Sequence, residues 1–420
     1  NLSNLRFIDS YQFLNCSLEE LVSSMSKENP KETFKHFTKE FDDDKRIALL
    51  LKKGTYPYEY IDNAARFNET ELPSIDKFYS NLSEKTISQT EYEHAQRVWN
   101  QMNIKNIGEY HDLYLKTDVL LLADVFETFR KKWITNYSLD PANYYTLPGL
   151  SWQSALKMTG VRLELLTDPT MWLFFEQSIR GGLTMVSCRH AKANNPYLSN
   201  YDPALPTSYL MYVDANNLYG LSMSMPLAVG KFQRLSEEEI NDFNVLNVSN
   251  NADIGYVIEC DLDYPDNLHD LHNDFPLAVE KGVITNEMLS PHSRHLYEQA
   301  NDDGKEYQPS TKLLATLKDK KHYILHYVNL KLYLKLGLVL KKIHNIVSFE
   351  QRPWLKQYID FNTEMRKKAT SNFEQKLFKN GNNAIFGKSM ESLRKHINFS
   401  LCHRWDKFQK LTAKSSFKSF

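Results

Sequence analysis

The sequence predicts a mixed α/β protein of more than one domain. The first observation behind this is a long amphipathic stretch, Gly108 to Tyr137, whose apolar residues recur at helical spacing. The second is an alternating run from Gly255 to Asp263. It places Tyr256, Ile258, Cys260 and Leu262 on one face and Glu259, Asp261 and Asp263 on the other, the period of a half-buried strand. The third is the segment Asp140 to Leu150, where Pro141, Pro148 and Gly149 break the helical pattern and mark a domain boundary. A chain of 420 residues is long enough for two or three domains with buried cores.

In chain order, Leu5 to Ile8 reads as a short strand, followed by an amphipathic helix beginning near Ser17. Glu20, three residues on, completes a capping-box pattern. Residues 26–90 carry turn-forming clusters at Lys52 to Pro57 and Glu71 to Ser74. Glu91 to Met102 reads as a helix. Helical signals return at 151–158 and 170–179 and stop at Arg180, Gly181 and Gly182. Pro196, Pro203 and Pro206 mark a loop. Tyr209 to Val213 is a short apolar run expected to form a buried strand, and Ala215-Asn216-Asn217 after it can turn sharply. Glu350 to Arg394 is mostly helical, with Trp354, Tyr358, Phe361, Met365 and Phe373 approximating one apolar face.

No run of about 18 apolar residues occurs, which excludes a membrane-spanning helix and leaves a soluble, intracellular protein as the expectation. Cys16, Cys188, Cys260 and Cys402 are far apart with no Cys-x-x-Cys pair, so they read as reduced thiols. The net charge of −1 conceals an asymmetry. Residues 312–420 hold 23 Lys and Arg against 7 Asp and Glu, whereas residues 1–311 hold 28 against 45. A basic third on an acidic remainder suits a polyanionic partner as well as it suits a set of solvated basic helices.

The chemistry concentrates in two segments. Asp214 ends the expected strand and faces an open edge, a rigid place for a divalent-metal ligand, and Tyr219 presents a flat ring five residues later. On the helix that follows Glu350, Lys379, Asn383 and Phe386 with Gly387 recur at i, i+4 and i+7/i+8 and so line one face. A lysine there can neutralise phosphate charge, and the ring and the glycine leave room for a flat base. Arg366 and Lys367, on the preceding helix, converge on the same phosphates if the two helices pair antiparallel. Asp261 and Asp263 belong to an ordinary strand by their alternation, and His269 and His272 read as a surface turn.

These residues resemble those of the family B DNA polymerases. Asp214-Ala-Asn-Asn-Leu-Tyr-Gly220 is similar to the family's Asp-x-x-Ser-Leu-Tyr-Pro motif A, and Lys379 to Gly387 to its Lys-x-x-x-Asn-Ser-x-Tyr-Gly motif B. Phe7 to Ser10, Tyr110 to Asp124, Ile179 to Gly182, Thr316 to Tyr323 and Lys342 to His344 extend the resemblance, in the family's order, towards the protein-primed Maverick/Polinton-like subgroup. The resemblance implies an RNase H-like 3′–5′ exonuclease domain (1–145) and the first part of a palm with motif A (146–230). A palm continuation with an insertion contacting a terminal protein (231–349) would follow. Helical fingers with motif B (350–395) and the start of a further insertion (396–420) would complete the chain.

It further implies roles. Asp214 would hold two magnesium ions about 3.5–4 Å apart. Tyr219, beside Leu218, would select deoxynucleotides. Lys379 with Arg366 or Lys367 would hold the triphosphate, and Asn383, Phe386 and Gly387 would face the nascent base pair. Asp9 and Asp118 would be exonuclease metal ligands, with Tyr114 orienting the attacking water. Asn4, Arg180, Gly181, Gly182 and Lys388 would contact DNA. The implied partners are primer-template DNA, deoxynucleoside triphosphates and a terminal protein, with a monomeric chain. The family's Asp-x-Glu before Asn4 and Tyr-x-Asp-Thr-Asp after Lys388 are missing from the sequence. The chain is therefore expected to be an internal fragment, inactive alone. A decayed, transposon-derived DNA-binding protein without catalysis is the alternative.

Overall fold

The computed structural model describes residues 7–25, 29–41, 43–300, 308–392, 394, 396–397 and 399–419. It is a mixed α/β protein. Its described residues before Leu227 form helices, 3-10 turns and loops, and its strands follow: β1 Leu227–Arg234, β2 Ile254–Asp263, β3 Glu280–Ile284, β4 Ser310–Leu314, β5 Lys320–His326 and β6 Val339–Arg352.

The first core is helical. Leu18–Ser24 is capped by the Ser17 hydroxyl, which accepts from the Glu20 amide; this is half of the expected capping box, because the Glu20 carboxylate pairs with Lys376 instead. Ser88 and Glu91 form a reciprocal capping box on Gln89–Gln101. The long helix Ile107–Tyr137 is capped by Asn106 and ends at Ser138 in the left-handed conformation. Its buried residues Leu121, Val125, Phe129, Trp133 and Tyr137 recur every four, so one face runs the length of the core. Thr146 caps Leu147–Thr159, with a proline in the first turn and Gly160 left-handed at its end. The hairpin Lys356–Lys368 and Asn372–Ser389 packs its Tyr358, Ile359, Phe373, Leu377, Phe378 and Ile385 into the same core. Residues on both sides of Asp140–Leu150 thus share one apolar interior.

The second and third cores lie on the two faces of a four-stranded antiparallel sheet of order β1-β6-β2-β5. Ile258, Cys260, Leu262 and Ile346 pack with the helix Tyr327–Lys335 on one face. Val257, Ile324, Val347 and Phe349 pack against Phe174 of the helix Pro169–Ser178 on the other. The small two-stranded sheet β3–β4 is tied to the main sheet by buried Lys320, whose Nζ donates to Glu280 Oε1 at 2.8 Å and Thr316 Oγ1 at 2.6 Å. β6 runs directly into the helical hairpin, so the sheet aims the helices that carry Arg366 and Lys379.

Three local expectations differ. Phe7 and Ile8 belong to no strand, and Leu5, Arg6 and Asn4 lie outside the described residues. Tyr209 to Val213 is neither a strand nor buried, with Met211 84% and Tyr212 94% exposed. A strand needs a neighbour for its N–H and C=O groups; among the described residues, pairing in this region stops at the bridge Asn194–Ser208. His269 and His272 fall in a short helical segment instead of an open turn. His272 is buried, with its Nδ1 2.9 Å from the Tyr264 hydroxyl.

Candidate functional site

Asp214 sits at the head of a turn that wraps into the short helix Leu218–Met223. The wrap needs Asn217 in the left-handed region (φ 59°), which asparagine tolerates. It also needs Gly220 buried directly beneath, because a Cβ there would come within 2.4 Å of the Asn217 amide. The turn therefore fixes Asp214, Leu218 and Tyr219 as a unit although the run before it is unpaired.

That unit closes on the helical hairpin. A cavity of about 760 Å³ is walled by Asp214 to Tyr219 on one side and by Asn362, Thr363, Arg366, Phe378, Lys379, Asn382 and Asn383 on the other. Tyr219 lies on Phe386, ring centroids 4.0 Å apart and planes 21° from parallel. Two segments more than 160 residues apart in the chain thus meet face to face. The short connection at 369–371 makes the two helices antiparallel, which brings Arg366 and Lys379 onto one wall. Lys367 points elsewhere and pairs with Glu364 at 2.8 Å, one position being a rotation of about 100° on a helix. Lys388 pairs with Glu391. Gly387 is open, with nothing within 4 Å of an added Cβ.

Among the described residues Asp214 is the one carboxylate on the cavity wall. No group of three or more His, Cys, Asp or Glu that could hold a metal ion occurs among them. Magnesium binds through one or two carboxylates together with substrate phosphates and water. The donor set therefore fits a cation brought in by a polyphosphate; it does not form a cage for a free ion.

A second polar locus lies on the long helix. Tyr114 and Asp118 are one turn apart on it. Tyr114 stacks with Tyr56 (4.8 Å) and its hydroxyl lies 2.6 Å from that of Tyr58. Burial, with the Tyr58 contact, pushes the Tyr114 hydroxyl far above its ordinary pKa. Burial also raises the Asp118 carboxyl, partly offset by the Tyr114 hydroxyl and the charge of Lys53. Asp118 Oδ1 is buried without a hydrogen-bond partner among the described residues, the condition in which a carboxylate oxygen would accept a cation. Tyr114 also lines a cavity of about 300 Å³ with Lys52, Lys53, Tyr56, Tyr58 and Lys85, among others; Asp118 is not on its wall. Lys52 and Lys53 read in the sequence only as part of a turn; a Cβ added at the neighbouring Gly54 would stand 3.1 Å from the Tyr114 ring, a contact that no local pattern reports.

Asp9 and Arg180 are engaged elsewhere. The exposed Asp9 carboxylate caps the turn Ser10–Gln12, accepting from the Tyr11 amide at 3.0 Å and Gln12 Nε2 at 3.3 Å. Arg180 turns inward, 4.0 Å above the Tyr323 ring, and donates to the Ile324 carbonyl at 2.7 Å. Gly181 and Gly182 after it are exposed, with open space where a side chain would be. Asp261 accepts from the His322 amide and His344 Nε2, each at 2.9 Å, as a residue of the sheet and not of the cavity.

The mixed α/β fold thus joins an aspartate turn to a lysine-bearing helix across one cavity. The chain belongs to a family described as DNA polymerase type B, organellar and viral, which matches residues 2–392. Among curated proteins none matches significantly. Solved structures of phi29 DNA polymerase are similar. The orthorhombic crystal form is 14% identical, with a TM-score of 0.41 over 91% of this chain and 48% of that one. The complex with single-stranded DNA is 15% identical, with a TM-score of 0.38 over 90% and 47%. The complex with primer-template DNA is 15% identical, with a TM-score of 0.37 over 80% and 46%. The chain spans about half the length of these structures.

Proposed function

We propose that this chain is the exonuclease, palm and fingers portion of a DNA-directed DNA polymerase that uses a protein primer, of the Maverick/Polinton-like kind. The observation that carries this reading is the convergence of Asp214 and Tyr219 with Arg366, Lys379, Asn383 and Phe386 around one cavity. In it, Arg366 and Lys379 hold the triphosphate and Tyr219 stacks beneath the sugar, leaving no room for a 2′-hydroxyl. Asn383 and Phe386 face the base, and Leu218 closes the wall. Asp214 would hold the magnesium that accompanies the nucleotide. Magnesium, when bound, supplies Lewis-acid stabilisation of the charge that develops at the α-phosphate.

Tyr114, Asp118 and Lys53 form the proposed proofreading site, which Asp9 would join as a ligand only by releasing the Tyr11 amide and Gln12. Gly181, Gly182, Asn4 and Lys388 remain DNA contacts in this reading, and Arg180 supports them by anchoring their loop to β5. Residues 231–349 would meet the terminal protein. With one carboxylate on the described cavity wall, the 420 residues alone should bind nucleotide yet extend a primed template negligibly.

Fluorescence titration with N-methylanthraniloyl-dATP and magnesium tests the site. Lys379→Ala should weaken binding about tenfold or more, the scale of a hydrogen bond to a charged group. Binding that ignores Lys379→Ala would sink the assignment. Robust primer extension, lost in Asp214→Ala, would overturn the need for a further carboxylate. DNA binding with no nucleotide binding would favour the decayed DNA-binding alternative.

A further inference from the structure

We infer that the buried chain Tyr137–Asn362–Asn382 is a positioning device that registers Arg366 against Lys379 across the cavity. The inference rests on the nucleotide reading above and adds to it three residues to which the resemblance gives no role.

All three side chains are buried, Asn362 completely. The Tyr137 hydroxyl donates to Asn362 Oδ1, and Asn362 Nδ2 donates to Asn382 Oδ1 at 2.7 Å. The first bond fixes the second: with its oxygen turned to a hydroxyl, the Asn362 amide must present its NH2 to Asn382. An apolar trio of similar volume would fill this space with comparable stability, so core filling does not explain two amides here. Helix geometry does. Asn362 and Arg366 are four residues apart on one helix, and Asn382 and Lys379 three apart on the next, so each amide shares a face with its cation. One amide–amide bond therefore sets both the rotation and the sliding of one cationic helix against the other.

Gly381 lies at this crossing. A Cβ there would stand 3.4 Å from the Tyr358 hydroxyl, 3.5 Å from Trp133 and 3.7 Å from Asn362, ordinary contact distances, so the crossing is close but has room for a methyl. Tyr137 supplies the fixed end. It closes the long helix that also carries Tyr114 and Asp118, and it is held by the rings of Trp133 at 4.7 Å and Tyr358 at 5.7 Å. Burial keeps its hydroxyl protonated and donating. Asn362 and Asn382 touch the cavity, whereas Tyr137 is absent from its wall, so it acts only through them.

The test is Tyr137→Phe, which removes one hydroxyl and keeps the ring. Titration with N-methylanthraniloyl-dATP and magnesium should show affinity reduced about threefold to tenfold, the worth of one net hydrogen bond. Asn382→Leu should act in the same direction, and the double variant should lose less than the two losses combined. Val245→Ala, in the separate sheet core, is the stability control: it should lower the melting temperature and leave affinity unchanged. If the wild type binds and both variants bind equally well, the device is refuted while the nucleotide site stands. If the wild type does not bind, the nucleotide reading falls, and this inference with it. Should Tyr137→Phe fail to fold, Asn382→Leu decides alone.

Discussion

The site depends on a few residues with no chemistry of their own. Gly220 lets Asn217 fold over it, and Gly381 sits where two helices cross. Their substitutions should differ in sign. Gly381 is mid-helix and its added methyl would meet neighbours only at ordinary contact distance, so Gly381→Ala should stabilise the protein by about 1 kcal/mol through helix propensity. A chemical denaturation midpoint that falls instead would show that the packing there has no slack. Gly220→Ala would drive a methyl into the Asn217 side chain. It should displace Asp214 and weaken nucleotide binding; unchanged affinity would show that the turn adapts. From sequence, Gly381 looked only like a weak point in a helix. The crossing it serves involves Trp133, far away in the chain, and no local pattern reports that.

At the scale of elements, caps and periodicity decided most helices. Asn106, Thr146, Ser88 and Ser371 all stand at the helix starts their side chains specify. The helix Tyr327–Lys335 has a less usual cap, His326, whose Nδ1 accepts from the Val328 amide at 3.4 Å. Burial lowers this imidazole to a pKa of about 4 from the ordinary 6.5. The folded state therefore takes up fewer protons than the unfolded state between those values. The contribution of His326 is fully present above pH 6.5 and is lost as pH falls towards 4. His326→Asn, which keeps a cap acceptor without titrating, should flatten the melting temperature over that window, and an unaltered pH profile would count against it. The Asp261 carboxyl, held at about 2 by the His322 amide first and by His344 next, belongs to the same sheet and titrates below the window.

For the whole molecule the relevant quantity is charge distribution. The basic third includes the hairpin that forms one cavity wall, so in the proposed function DNA attracted there would arrive beside the proposed nucleotide site. DNA binding should weaken steeply with salt, because each neutralised phosphate releases counterions. A flat dependence of affinity on salt between about 50 and 200 mM would place the DNA on another surface. No helix among the described residues is long and apolar enough to cross a membrane. The sequence by itself determined the mixed α/β class, the long helix, the alternating strand, and the two segments whose residues the cavity unites. All of these rest on local spacing, which the backbone period reads directly. Only the tertiary structure decided that Arg366 faces the cavity while Lys367 does not, that Arg180 turns inward onto Tyr323, and that Lys53 stands near Asp118. It also left Tyr209 to Val213 unpaired and joined Tyr137 to Asn362 and Asn382. Each of these depends on which distant group comes within hydrogen-bonding or packing range, and that is fixed by how the helices and sheet assemble, not by the order of residues along any one of them.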